Sequence, residues 1–361
     1  MNIQPVNSIY DERESVDWES WVNKHCPSTG KILFDVLAEM AKEQSSDVYN
    51  LECEISQLFP SAKNHMNLAL ACIKTLVLKN QESYQEYLLD GIAPDKELAS
   101  SEHGLRHALQ VLFYAVKIMQ KQSATPKLED KSLQYLVWSA FLHDISCTVK
   151  HSRKNHEIES ANIVDQSLTQ AINDRCIPQG YDLNKCDVKH IVNAIKGHNK
   201  SLGRDDSVYN YEEALAIRDA DLLASSLHIS RFVRIHKMNL FLWTNWKFFD
   251  PNVDLENRLL ILNTGKDKNG KPKSAHSIDA ILDFVKNVFW KINFFHKSSD
   301  DVVQQTGRNI DDESLFQEMK KFINWASKLG LPKCRLENTG TTQENLGLIK
   351  DCIQKLYEKR P

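Results

Sequence analysis

Apolar residues recur along most of the chain at spacings of three and four positions, the period of an α-helix with one buried face. In the segment 101–121 the residues that share this face are Leu105, Leu109, Leu112, Val116 and Met119. The same pattern predicts helices over 31–43, 64–79, 131–145, 156–173, 186–197 and 211–235. The chain has only 12 glycines and 10 prolines, and the dipeptides that punctuate β-hairpins are few. We therefore predict an all-α fold.

Both ends of the chain continue this helical pattern. Asp17 is predicted to cap an early helix that carries Trp18, Trp21 and Val22 on one face. Beyond residue 239 an aromatic and apolar stretch is followed by a polar loop at 264–273. Further helices are predicted over 276–295, 312–329 and 343–358. The aromatic residues of this part, Phe295 among them, are expected to pack in a core.

Composition narrows the class of protein without identifying it. The 361 residues are 42% apolar and 26% charged, ordinary values for a globular protein, and the net charge is −3. Such a charge does not suit a nucleic-acid-binding polycation, so nucleic acid is not an expected partner. The eight cysteines are scattered and form no C-x-x-C pair, which argues against a zinc ribbon or a redox dithiol and favours reduced thiols.

The location of the protein is predicted from its apolar stretches. The N-terminus has no secretory signal pattern, and the most apolar stretch, Leu68 to Leu78, contains Lys74 and is too short to cross a bilayer. We expect a cytoplasmic protein without a membrane partner. An exported effector with a cryptic signal would show the same sequence features.

Histidine and aspartate are concentrated in one third of the chain. His103 and His107 are four residues apart, and the pair His143-Asp144 ends an apolar helix. His156 opens the next helix, His198 follows Gly197 at a helix end, and Asp219 and Asp221 lie in a largely apolar helix. A charge in such surroundings must be paired, neutralised or bound to metal, because burying it alone is costly. Imidazoles and carboxylates together suit Mn²⁺, Mg²⁺, Fe²⁺ or Zn²⁺.

Five segments carry a resemblance to a known family. In chain order they are H-G-L-R-H-A-L-Q-V (103–111), F-L-H-D-I (141–145), N-H-E-I-E-S-A (155–161), I-V-N-A-I-K-G-H (191–198) and A-L-A-I-R-D-A-D-L-L-A (214–224). Their order and spacing resemble the HD superfamily of metal-dependent phosphohydrolases, and in particular its compact bacterial branch that acts on nucleotides. The segment 96–238 is accordingly predicted to be an HD-type catalytic domain. Helical regions at 1–95 and 239–361 would flank it, the second packed on it.

The resemblance implies a set of metal ligands: His107, His143, Asp144 and Asp221. Asp219 would then orient a ligand or accept a proton, because residues two apart on a helix point about 200° away from each other and cannot both face one metal. His156 and His198 match positions on the substrate side, where they could hold a phosphate, protonate a leaving oxygen or bind a second metal. The predicted catalytic residues are thus Asp144, His156, His198 and Asp219. His103 is expected to be a surface residue.

The implied substrate is a small phosphorylated molecule, most simply a nucleotide. The basic residues nearest to the predicted site, candidates for binding phosphate oxygens, are Lys196, Arg153, Lys154, Lys200 and Arg218. The chain departs from many relatives in having Ser146-Cys147 after H-D-I and Leu222 after the last aspartate. It also lacks the signatures of guanosine-tetraphosphate hydrolases and of cyclic-di-GMP phosphodiesterases.

Two alternatives to a hydrolase remain open. The fold could serve as a regulatory module that binds a nucleotide or a protein without turnover. An HD-like oxygenase with a di-iron site is the other, and it would need six ligands and two irons. An oligomer is compatible with either reading.

Overall fold

The computed structural model describes a helical protein. The residues it describes are 3–25, 31–89, 103–122, 128–150, 155–178, 181, 183–198, 202–226, 269–270, 294–296, 298–299 and 302. Within these ranges every regular element is a helix and no strand is present. The predicted all-α fold is therefore confirmed.

The chain divides into two compact units. The first comprises Met1–Ala224 together with Phe294–Thr306, and the second comprises Ser225–Asn293 and Gly307–Pro361. Nearly all described residues belong to the first unit, and the account below concerns it. The predicted helices over 276–295, 312–329 and 343–358 and the aromatic stretch at 239–262 fall almost entirely outside the described residues. The domain boundaries at 95/96 and 238/239 stay predictions.

The N-terminal helices begin at side-chain caps. Helix α1 (Ile9–Glu14) follows Ser8, whose hydroxyl accepts a hydrogen bond from the Asp11 amide. Helix α2 (Trp18–His25) follows Asp17, whose carboxylate accepts one from the Ser20 amide at 3.1 Å, as predicted. Helix α3 (Lys31–Leu58) runs well past the predicted end at residue 43. Its later turns still bury Val48 and Ile55, so the apolar face continues beyond the polar positions that hid it.

A proline separates α3 from the next helix. Helix α4 (Pro60–Cys72) begins with Pro60 in its first turn, where a missing N–H costs nothing, and it runs into a π-helical stretch, Ile73–Val77. The helix predicted at 64–79 therefore begins four residues earlier and ends in a wider turn. Helix α5 (Gln81–Leu89) follows.

Six helices make up the remainder of the described unit. They are α6 (Leu105–Gln122), α7 (Asp130–Leu142), α8 (Ile145–Lys150), α9 (His156–Asn173), α10 (Lys185–Gly197) and α11 (Glu212–Ser226). A 3₁₀ turn, Ser207–Asn210, precedes α11. The prediction for α9 is exact, that for α7 errs by one residue at its start and three at its end, and that for α10 errs by one residue at its start only.

Helix α7 lies at the centre of the unit. It packs against α4, α6 and α10, and every residue from Leu136 to Leu142 is buried. Trp138 and Phe141 are among its largest buried side chains. Because the last two turns of this helix are buried on all sides, the residues that follow it, His143 and Asp144, lie inside the protein rather than at its surface.

Helix α10 is fixed at its start by a capping box. The Asn184 side chain accepts hydrogen bonds from the amides of Cys186 and Asp187, and the Asp187 carboxylate accepts one from the Asn184 amide. That carboxylate also accepts hydrogen bonds from Tyr135 and Lys131 of α7. These contacts tie α10 to α7 and so place the far end of α10, where His198 follows.

Two expectations from composition can be compared with the described residues. None of the helices described combines the length and apolarity needed to cross a membrane. Among the described residues, Cys53, Cys72, Cys176 and Cys186 form no disulfide.

Candidate metal centre

Five imidazoles and two carboxylates from separate elements converge at one place. His103 precedes α6, His107 lies in its first turn, and His143 and Asp144 form the turn between α7 and α8. His156 begins α9, His198 follows α10, and Asp221 lies in α11. Three sets of ligand atoms lie close enough to hold a metal ion: His103, His107 and Asp144; His107, His143 and Asp221; and Asp144, His156 and His198.

The Asp144 carboxylate lies at the centre of the cluster, and its Oδ2 faces three imidazoles. The distances from Oδ2 are 2.5 Å to His103 Nδ1, 3.1 Å to His143 Nε2 and 3.5 Å to His107 Nε2. Asp144 is itself buried. A carboxylate removed from water needs this compensation by positively polarised or cationic partners.

The other oxygen of Asp144 faces two further imidazoles. Oδ1 lies 3.3 Å from His156 Nε2 and 3.4 Å from His198 Nε2, and the two Nε2 atoms are 3.2 Å apart. This oxygen is fully buried, and no described residue donates a hydrogen bond to it. A buried carboxylate oxygen in that situation, flanked by two imidazole nitrogens, is suited to a metal cation.

Asp221 faces the same nitrogen of His107 as Asp144 does. Its Oδ1 lies 3.2 Å from His107 Nε2, which in turn lies 3.2 Å from His143 Nε2. Three ligand atoms from α6, α11 and the turn after α7 are thereby brought within reach of one ion.

Backbone carbonyls set the orientation of two of the imidazoles. His143 Nδ1 lies 2.8 Å from the carbonyl oxygen of Ala140, and His198 Nδ1 lies 2.5 Å from that of Ile195. A carbonyl can only accept, so these contacts assign a proton to each Nδ1. In the neutral imidazoles the Nε2 lone pairs then point into the cluster, as metal ligation requires. The donor set fits a divalent metal on this ground.

The charges of the cluster stabilise one another. Burial raises the pKa of the Asp144 carboxyl, but His143 and His103 outweigh burial and hold that pKa well below its ordinary value. Burial lowers the pKa of His143, yet Asp144 and Asp221 outweigh it, and that pKa is raised. The proton that a metal would displace from His143 is the one on Nε2, because Ala140 holds the other.

Exposure shows which side of the cluster is open. The side chains of His103 and His156 are 20% and 21% exposed, whereas those of His107, His143 and His198 are at most 2% exposed. The rings of His103 and His156 lie beside each other, with centroids 6.3 Å apart. A substrate would therefore approach over these two imidazoles.

A pair of serines fixes the start of α9. The Ser146 amide donates to Ser160 Oγ, the Ser160 hydroxyl donates to Ser146 Oγ, and the Ser146 hydroxyl donates to the carbonyl of His156. Asn155, in the left-handed region at φ 55°, turns the chain into the helix. Ser146 is one of the positions at which the sequence departs from the proteins it resembles. It links the turn that contains Asp144 to the backbone of His156.

The structure brings most of the predicted site residues together. The predicted ligands His107, His143, Asp144 and Asp221 converge, as do the predicted substrate-side residues His156 and His198. Lys196 is half-buried in the last turn of α10. Arg153, Lys154 and Lys200, predicted to bind phosphate, lie outside the described residues.

Asp219 and Arg218 require a correction. Asp219 was predicted to act in catalysis, but its carboxylate is fully buried and accepts hydrogen bonds from Arg218, Phe295, His296 and Ser299. Arg218 was predicted to bind substrate, but it donates to Asp219 and lies over the Phe295 ring. Asp219 and Asp221 point to opposite sides of α11, and Asp221 takes the side that faces the cluster.

His103 was missed and belongs to the cluster. It was expected at the surface, yet its Nδ1 contacts Asp144 Oδ2. The signal lay in its position four residues before His107, a spacing that would put both on one side of a continuous helix. That spacing also fits a surface pair, so it did not decide between the two readings.

Comparison with known protein families finds a similarity for this segment. The family model of the HD domain matches residues 104–226, which contain every member of the cluster except His103. The segment is therefore similar to the HD domain, which supports the resemblance stated from the sequence. No curated protein and no solved structure matches the chain.

Proposed function

We propose that the protein is a metal-dependent phosphohydrolase that acts on a nucleotide or a related phosphate ester. One observation carries the proposal: a single buried carboxylate, Asp144, has five imidazole nitrogens within 3.5 Å of its two oxygens. A purely structural role would leave such a group with hydrogen bonds to both oxygens. Asp144 Oδ1 instead faces two Nε2 atoms without a hydrogen bond from a described residue.

The grouping of the ligands supports two metal positions bridged by Asp144. One position would use His107, His143 and Asp221, with Asp144 Oδ2 beside them. The other would use Asp144 Oδ1, His156 and His198. Divalent metal bound there, Mn²⁺, Mg²⁺, Fe²⁺ or Zn²⁺, would polarise a phosphoryl oxygen and lower the pKa of a bound water.

The residues of the chain account for the other requirements of hydrolysis. Asp144 orients the imidazoles and, through Oδ2, holds His103 at the open side. His103 and His156 are the partly exposed imidazoles. His103 can donate a proton to a leaving oxygen there, and His156 can do so only if it does not bind the second metal. The buried His143 and His198 have no such access and serve as ligands. Lys196 and, outside the described residues, Arg153, Lys154 and Lys200 remain the candidates to bind phosphate oxygens.

The test is phosphate release from a panel of nucleotides and phosphate esters, with each divalent metal in turn. Asp144→Asn keeps the shape of the side chain and removes its charge, and we expect release to fall about a hundredfold or more. Asp130→Asn is the matched control, because Asp130 also contacts an imidazole, His65 at 3.3 Å, but outside the cluster. Equal activity in the wild type and Asp144→Asn would refute the proposal. Binding of a nucleotide without release would indicate the regulatory module.

A second candidate function is favoured by the number of ligands. The six residues that a di-iron oxygenase would need, His107, His143, Asp144, His156, His198 and Asp221, all converge. Protein loaded with Fe²⁺ would then consume oxygen with a substrate, and Mn²⁺ or Mg²⁺ would not replace iron. Oxygen consumption measured alongside phosphate release separates the two reactions.

A further inference from the structure

Asp219 anchors a part of the chain that is distant in sequence. Its Oδ2 accepts hydrogen bonds from the His296 amide at 2.7 Å and the Ser299 hydroxyl at 2.8 Å. Its Oδ1 accepts them from the Phe295 amide at 3.1 Å and from Arg218 at 2.8 Å. Both carboxylate oxygens are therefore satisfied, and a fully buried charge is neutralised in place.

The residues held in this way form a short strap. We use this name for Phe294, Phe295, His296, Ser298, Ser299 and Val302, which belong to the same compact unit as the HD segment. The strap begins after the end of the HD family match at residue 226. It is buried at His296, Ser299 and Val302. His296 also contacts Glu212 at the start of α11, with 3.3 Å between Nε2 and Oε2.

Phe295 carries the strap to Tyr209. The two rings meet edge to face with centroids 5.4 Å apart, and the Arg218 guanidinium lies 3.5 Å from the centre of the Phe295 ring. Burial raises the pKa of the Tyr209 hydroxyl, and the nearby Arg218 guanidinium partly opposes that rise. Tyr209 is thus held from two directions, by an aromatic contact and by the guanidinium that is bound to Asp219.

Tyr209 in turn holds the end of α10. Its hydroxyl donates to the Gly197 carbonyl at 2.5 Å, one residue before His198. Its ring also covers Gly197 so closely that a Cβ on that residue would lie 3.2 Å from Tyr209 Cε1. Tyr209 therefore fixes the backbone next to His198, and the Ile195 carbonyl fixes the His198 imidazole.

We infer that Tyr209 is a positioning residue for His198, and that the strap, anchored by Asp219, keeps Tyr209 in place. The consequence is that one half of the metal centre depends on residues beyond the HD family match. The role given to His198 as a ligand rests on the proposed function, but its positioning by Tyr209 does not.

The experiment measures how fast diethyl pyrocarbonate modifies His198 in the metal-free full-length protein, relative to His143, by mass spectrometry. Tyr209→Phe removes the hydroxyl and keeps the ring, and we expect the ratio of the two rates to rise about fivefold, the scale of one buried hydrogen bond. Asp219→Asn, which loosens the strap, should raise the ratio as well. A general loss of stability would expose both histidines and leave the ratio unchanged.

Tyr135→Phe is the matched control. It removes a hydroxyl that also contacts α10, at Asp187 near the opposite end, and it should leave the ratio at the wild-type value. An unchanged ratio in both Tyr209→Phe and Asp219→Asn would overturn the inference.

Titration with Mn²⁺ separates this inference from the proposed function. In the wild type we expect two equivalents to bind, and in Tyr209→Phe the second should bind about fivefold more weakly. If the wild type binds no Mn²⁺ but the histidine ratio still rises in Tyr209→Phe, the proposed function fails and the positioning stands. If both proteins bind two equivalents equally well and the histidine ratio is unchanged, the proposed function stands and the positioning role of Tyr209 is refuted.

Discussion

The two oxygens of Asp144 contact different imidazoles, so we expect the stability of the protein to depend on metal bound at this residue. A ligand that binds the folded state alone stabilises it by about 2.7 kcal/mol at a concentration one hundred times its dissociation constant. We predict a gain of this size in the free energy of unfolding when Mn²⁺ is added to the wild type, and none in Asp144→Asn. Chemical denaturation with and without chelator measures it. A similar gain in the variant would show that the metal binds elsewhere.

A second prediction at the residue scale concerns Asp187 and pH. Burial raises the pKa of Asp187, but hydrogen bonds from Tyr135 and Lys131 outweigh burial and hold that pKa below its ordinary value. Since the folded pKa is the lower one, the stabilisation is complete above the unfolded pKa, about 3.9, and is lost as the pH falls through the folded value. Asp187→Asn should therefore cost about 1–2 kcal/mol at neutral pH and progressively less in acid. Urea denaturation from neutral to acidic pH measures the difference, and a constant difference would contradict the prediction.

Single residues were predictable where their chemistry limits their surroundings. His143 and Asp144 could be assigned because a charged pair at the end of an apolar helix needs partners. The different surroundings of Asp219 and Asp221 could be predicted only in part. Their spacing shows that they face opposite sides, but the partner of Asp219 is the strap, whose position no local pattern reveals.

At the scale of elements, the end of α10 has little space. Gly197→Ala would add a Cβ 3.2 Å from Tyr209 and 3.3 Å from Ala214. Tyr209 is held by its hydrogen bond and by Phe295, so it cannot move away, and we predict a loss of about 1–2 kcal/mol in the free energy of unfolding. Gly203→Ala is the control, because nothing lies within 4 Å of the added atom. Equal stability of the two variants would show that the Tyr209 ring can move to make room for the added Cβ.

A second element-scale prediction concerns the contact between α5 and α7. The Tyr87 hydroxyl donates to the Phe141 carbonyl at 2.9 Å, in the last turn before His143. Tyr87→Phe leaves that buried carbonyl without this donor, and we predict a loss of about 1–2 kcal/mol. Thermal and urea denaturation measure it, with Tyr84→Phe, whose hydroxyl contacts the partly exposed Glu12, as the comparison. A larger loss in Tyr84→Phe would contradict the argument.

Helices were predicted best where the apolar period is uninterrupted. Helix α9 was predicted exactly because polar residues flank a regular apolar face. Helix α3 was predicted too short because polar residues around Ser45 hide the face that resumes at Val48. The π-helical turn at Ile73–Val77 has a different period and cannot be found by a search for spacings of three and four.

The strap is part of the first compact unit, and we expect that unit to need it for full stability. A chain ending at residue 293 lacks the strap, whereas one ending at 306 keeps every residue of the first compact unit. The shorter chain leaves Asp219 without three of its hydrogen-bond donors, and removing partners from a buried charge costs about 3–5 kcal/mol. We predict that the chain of 306 residues is more stable by this amount, measured by urea denaturation. Equal stability would show that the strap adds nothing to the unit.

At this scale the sequence was least informative. The resemblance located the HD segment because its ligands recur at helix ends in a fixed order. It could not show that residues 294–302 complete the same unit, because contacts between residues 77 positions apart leave no local periodicity.

The distance between Asp219 and His296 also has a consequence for biosynthesis. At a translation rate of about 5–20 residues per second, the 77 intervening positions take roughly 4–15 seconds to synthesise. During that interval the nascent chain already contains Arg218 and Asp219, but the residues whose amides and hydroxyl complete their network have not yet been synthesised. The buried Asp219 carboxylate is therefore fully hydrogen-bonded only after residues far downstream have been synthesised.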